Sequence, residues 1–93
     1  MKTTINGKRY NTEKCEILAT HDHHSYSNNY YGTTSLLVAS DGVYLEYTSP
    51  NGQDCHIQNS FRLCDDAVAF LDTAEMDNEQ EARCVELGLV QIV

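Results

Sequence analysis

Four consecutive positions could do metal chemistry: His21, Asp22, His23 and His24 offer imidazole and carboxylate donors in one short stretch. Zinc sites bring such donors together in spaced pairs fixed by turns or helices, such as Cys-x2-Cys or His-x3-His. No two of the four cysteines (Cys15, Cys55, Cys64, Cys84) stand at such a spacing. Cys55 and His56 are adjacent, and on a strand their side chains point to opposite faces. No metal and no cofactor is therefore assigned. Nucleophilic catalysis needs a Cys–His or Ser–His pair held by local geometry. No serine occupies a strained elbow sequence, and no glycine-rich phosphate loop is present. The pair Asp65-Asp66 stands where a helix is expected to start, and the helix dipole accounts for it without catalysis. The chain is expected to bind rather than to catalyse.

Two other groups of residues suit binding. Tyr26, Tyr30 and Tyr31 are interspersed with Ser25, Ser27, Asn28, Asn29 and Gly32. Tyrosine gives large amphipathic contacts, and the small polar residues around it adapt. The second group is charged. The chain carries a formal net of −8, spread unevenly. Residues 1–64 hold six carboxylates and five cations, a net of −1; residues 65–93 hold eight carboxylates against Arg83 alone, a net of −7. Asp72, Glu75, Asp77, Glu79 and Glu81 fall in that last third. A chain so acidic is a poor direct binder of DNA or RNA. It suits the opposite partner, a basic protein groove that otherwise holds nucleic acid.

The elements that must position these groups follow from periodicity. Ninety-three residues fit one domain, spanning 1–93. Asn6-Gly7 favours positive φ at both turn positions and predicts a hairpin. Asn11-Thr12 offers an N-cap, and Cys15, Leu18 and Ala19 at i, i+3, i+4 predict a short helix to about Thr20. Residues 21–32 have no apolar period and read as a polar loop. From Thr33 to about 63 the pattern is β. Leu36 to Ala39 is an apolar run, Asp41-Gly42 a turn, and Val43, Leu45 and Tyr47 alternate with polar partners. After the turn at Pro50-Asn51-Gly52, Cys55 and Ile57 alternate as a third strand. Beyond 65 the spacing is helical. Asp65 is expected to cap a helix with Ala67, Phe70, Leu71 and Ala74 on one face. Asp77 with Gln80 resembles a capping box, followed by an apolar stripe of Ala82, Val85 and Leu89 and a stop at Gly88. Leu89 to Val93 is expected to finish as a strand. The fold class is α+β: a short N-terminal hairpin and helix, an antiparallel β-meander, and one or two C-terminal helices packed on the sheet.

The N-terminus, MKTTINGKRY, lacks the apolar region of a secretory signal, and no stretch approaches a membrane span. The expected location is the cytoplasm of a host cell, with the cysteines reduced.

The segment Gly7 to Glu13, GKRYNTE, resembles a run found in small proteins of phages and other mobile elements. Ser35 to Gly52 is similar to the meander that follows in them. Anti-CRISPR proteins occur in such settings, and many are small, acidic and single-domain. The resemblance implies an anti-CRISPR-type inhibitor that covers the nucleic-acid-binding surface of a Cas effector protein with acidic residues. The rival readings are an inhibitor of another host DNA-handling enzyme, a small accessory or structural phage protein, and a metal-dependent regulator using the histidines.

Overall fold

The computed structural model describes residues 1–25, 30–50 and 59–93, with backbone alone at 24, 25, 30 and 31. The chain opens with strands β1 (Lys2–Ile5) and β2 (Lys8–Asn11), paired antiparallel. Asn6 and Gly7 join them with φ of 52° and 78°. Both angles are positive, as the tight hairpin turn with matching strand twist requires.

A second, four-stranded antiparallel sheet has the order β3-β4-β5-β6. Its strands are β3 (Glu16–Ser25), β4 (Tyr30–Val38), β5 (Tyr44–Pro50) and β6 (Ser60–Leu63). Two helices follow, α1 (Ala67–Leu71) and α2 (Asn78–Glu86). The architecture is α+β. Among the described residues no helix is long and apolar enough to cross a membrane.

Strand alternation gives the sheet two covered faces. Leu18, Ala19, Leu36 and Val38 form one core with Leu71 and Cys84 from the helices. Leu37, Leu45 and Phe61 form the other with Tyr10 of the hairpin. The sheet thus lies between the hairpin and the helices. This three-layer arrangement lets a short chain bury both faces of its main sheet.

Asp41 fastens the hairpin to the sheet. It stands in the turn between β4 and β5, where Gly42 adopts φ of 85° and Ala39 N–H donates to the Val43 carbonyl. The Asp41 carboxylate accepts from Val43 N–H at 3.1 Å, Tyr10 Oη at 2.9 Å and Lys8 Nζ at 3.3 Å. These donors, the Val43 amide first, hold its pKa below the ordinary value. Burial, and then the bond to Asp41, push the Tyr10 hydroxyl up.

The structure corrects four expectations. The helix expected to reach Thr20 is a single 3-10 turn, Thr12–Lys14, capped by Asn11, whose side chain accepts from Glu13 N–H at 3.1 Å. The chain then enters β3. A bulge lies at Leu18, because Ile17 pairs with Leu37 and Ala19 with Leu36. Second, residues 21–25 and 30–32 belong to paired strands rather than to a polar loop. Third, the cap of α1 is Asp66, whose side chain accepts from Ala69 N–H at 3.0 Å, and not Asp65. Fourth, residues 89–93 form no strand. The expected strand around Cys55 and Ile57 lies outside the described residues.

Candidate protein-binding surface

The acidic third is built by two helix starts and the segment between them. Asp77 caps α2 in a reciprocal box: its carboxylate accepts from Gln80 N–H at 2.8 Å, and Gln80 Oε1 accepts from Asp77 N–H at 3.0 Å. That closes two of the donors a helix start leaves open. Glu79 and Glu81 follow in the first turn. There the positive end of the helix dipole favours them. Asp72 ends α1. Glu75 forms a one-residue bridge to the outer edge of β3, exchanging hydrogen bonds with Thr20 of 3.0 and 2.7 Å. This bridge fixes the backbone of 75 and also pairs part of an otherwise open sheet edge.

The side chains of Asp72, Glu75, Asp77, Glu79 and Glu81 belong to exposed residues. None of the five takes part in an ion pair among the described residues, whose salt bridges are Lys8–Asp41, Arg62–Glu46, Arg83–Glu16 and Arg83–Glu86. Arg83, the single cation of this third, is committed elsewhere. Its Nε reaches Glu16 Oε1 at 3.0 Å and its Nη1 reaches Glu86 Oε2 at 3.1 Å. These two carboxylates hold the guanidinium pKa up. The acidic group is therefore exposed and lacks internal neutralisation.

The buried face of α2 is rotated from the stripe that the sequence predicts. Cys84 is fully buried and Leu87 packs on the same core, while Ala82 and Val85 are exposed. Leu89 alone of the three is half-buried against that core. The helix ends as expected at Gly88, with φ of 77°. Leu89 N–H donates to the Cys84 carbonyl at 2.9 Å and Gly88 N–H to the Val85 carbonyl at 3.0 Å, the two bonds of a Schellman cap. Ala67, Phe70 and Leu71 of α1 pack on the core as expected, whereas Ala74, expected on the same helix face, packs there from beyond the helix end.

Tyr30 and Tyr31 lie in β4, paired with Ser25 and His24; Tyr26 lies outside the described residues. His21 and His23 face the helix side of the sheet with ring centroids 4.9 Å apart. His21 Nδ1 donates to the Thr73 carbonyl at 3.1 Å. His23 Nε2 lies 2.7 Å from Thr34 Oγ1, itself 2.8 Å from Thr48 Oγ1. Burial, then the neighbouring His21, lower the His23 pKa. His23 thus ties β3 to β4, and His21 ties β3 to the segment after α1. Among the described residues no three His, Cys, Asp or Glu side chains converge as metal ligands do.

Sequence reasoning missed the exposed apolar residues Val68, Val85 and Ile92. Their signal was present: Val68 stands beside the buried face of α1 and Val85 within the stripe assigned to α2. Their exposure depends on how each helix is rotated on the sheet, and spacing alone does not give that rotation. No protein-family model, curated protein or solved structure matches the chain.

Proposed function

We propose that this chain is a binding module that presents the acidic surface of its C-terminal third to a basic protein surface, one that otherwise holds nucleic acid. One observation carries the reading: Asp72, Glu75, Glu79 and Glu81 are exposed and meet no cation among the described residues. Self-repulsion among such charges costs folding stability, and an external cationic surface relieves it. Charges of this kind steer association and raise its rate. The narrower assignment, an anti-CRISPR-type inhibitor obstructing a Cas effector, rests on the resemblance carried by Gly7 to Glu13 and Ser35 to Gly52. In that assignment Asp77 contributes charge beside its capping role, and Tyr26, Tyr30 and Tyr31 supply uncharged contacts.

The test is a fourfold reversal, D72K/E75K/E79K/E81K, assayed against guide-loaded Cas effectors by the block of target-DNA binding. Exposed ion pairs are worth only about 0.2–1 kcal/mol each, so single alanine changes have small effects and the four together abolish binding. Wild-type affinity also falls as salt rises from about 50 to 500 mM. Circular dichroism establishes that the variant is folded. A folded variant that still blocks DNA binding fully sinks the acidic-surface reading. Capture of a different basic host protein, lost in the same variant, keeps the surface and rejects the Cas assignment.

A further inference from the structure

Three of the exposed apolar residues lie together. Val68 of α1, Val85 of α2 and the segment Gly88, Leu89, Val90 and Ile92 line one open groove of about 690 Å³. Val68 is 53% exposed, Val85 41% and Ile92 68%. A contiguous apolar surface with a polar surround marks an interaction site more often than isolated exposed residues do. The Schellman cap holds the groove open. It turns the chain at Gly88 so that residues 89–92 run beside the two helices instead of joining the sheet.

Two carboxylates flank the valines. Asp72 stands four residues after Val68, and Glu81 stands four before Val85. Positions three and four apart share a helix face, so these carboxylates border the valines. Both residues are exposed. Arg83, the one cation of residues 65–93, is bound to Glu16 and Glu86. A second copy docked here would bring two acidic thirds together, each with a net of −7 over residues 65–93. Like-charge juxtaposition of that kind opposes self-pairing.

We infer that the groove is the seat for a basic amphipathic segment of the partner protein, with aliphatic side chains entering between Val68 and Val85 and flanking lysines or arginines meeting Asp72 and Glu81. This inference rests on the acidic-surface reading and deepens it. The acids set rate and orientation, and the groove supplies the buried apolar anchor that exposed charges lack.

The experiment uses three synthetic peptides. The first is a helix-forming leucine/lysine peptide with apolar and basic faces. The second replaces its leucines by serine at equal charge, and the third replaces its lysines by glutamate. Fluorescence anisotropy measures each against the full chain and against V68S/V85S, with V68T/V85T as the closer isostere should the first lose its circular dichroism. Burial of two valines corresponds to roughly a ten- to hundredfold change in affinity. The wild-type chain is expected to bind the leucine/lysine peptide tighter than the serine/lysine peptide by that factor. The valine variants are expected to erase the difference while holding the serine/lysine peptide as before. Equal binding of the two basic peptides, unchanged in the variants, overturns the groove and leaves the acidic surface standing. Binding of neither basic peptide removes both. Binding of the leucine/glutamate peptide as tightly as the basic one overturns the charge selection. A wild-type dimer in sedimentation equilibrium that V68S/V85S dissociates assigns the groove to a second copy and overturns the inference.

Discussion

The carboxylates of the sheet and those of the helical third are the same chemical groups in different employment. In the sheet half, Asp41, Glu46 and Glu16 each meet a cation, at 3.3, 3.3 and 3.0 Å. Each joins separate parts of the fold: turn to hairpin, β5 to β6, and β3 to α2. In the helical third, Asp66 and Asp77 cap helices through single backbone amides, and Asp72, Glu75, Glu79 and Glu81 are exposed with no ion-pair partner among the described residues. The paired charges tie separate elements together, and the exposed ones take no part in an ion pair among the described residues.

Changing the shared core is the harshest way to break that contrast, because it asks whether the two halves are one folding unit. Leu36 is fully buried on the sheet face covered by the helices. Leu36→Ala is expected to cost about 3–5 kcal/mol. Urea titrations followed by a sheet-sensitive and a helix-sensitive signal should shift together. Separate transitions would mean that the helical third melts on its own.

A smaller effect sharpens the distinction within the acidic third. Asp77→Ala removes the cap and is expected to cost about 1 kcal/mol. Asp72→Asn and Glu75→Gln, which remove charge alone, are expected to stay within about 0.5 kcal/mol of the parent. Denaturant midpoints decide it, and a large loss in either of the last two would give those acids a structural task.

Asp41 supplies the matching test in the sheet half. Its folded pKa is depressed, so its contribution is fully present above the ordinary carboxylate value of 3.8 and is lost as pH falls through the folded pKa. Asp41→Asn is expected to lower the urea midpoint at pH 7, with the gap to the parent closing below about pH 3.8. A gap that persists undiminished in acid would show that the carboxylate charge is not what holds the turn.

The cysteines give the mildest readout. Cys15, Cys64 and Cys84 are free thiols. Burial, first among several causes, pushes Cys64 to about 11 and also raises Cys84. Thiolate is the reactive form. Iodoacetamide at pH 7.5 is expected to modify Cys64 and Cys84 slowly in the native chain, and thiol titration after denaturation without reductant to find four groups. Rapid native labelling of Cys84 would show that α2 lifts from the sheet.

Much of this fold was legible in the sequence where local chemistry decides. Asn6-Gly7, Asp41-Gly42, the Asp77/Gln80 box and Gly88 each mark a turn or helix end through backbone requirements of a few residues. The alternation from Val43 to Tyr47 is realised in β5 and its preceding turn. The acidic group was legible as a count. Its lack of internal partners was not, because the commitment of Arg83 to Glu16 spans 67 positions. The polar composition of residues 21–25 concealed a strand, since His21 and His23 are satisfied by Thr73 and Thr34 rather than by apolar packing. The missed start of β3 has a sharper cause. A bulge places the neighbours Leu18 and Ala19 on one face, and together with Cys15 they imitate helical spacing.

That bulge changes how the chain tolerates a lost or gained residue. In an ordinary strand, removing one position exchanges the two faces from that point on. Leu18 is the residue without a cross-strand partner, between Ile17 opposite Leu37 and Ala19 opposite Leu36. Deleting it alone leaves every other pair in place, including Glu16 on the helix side with Arg83. The deletion then costs one fully buried leucine. Removing Thr20 or His21 instead would send the rest of β3 to the wrong face. In the language of reading frames, Leu18 is a silent position for topology and an expensive one for packing.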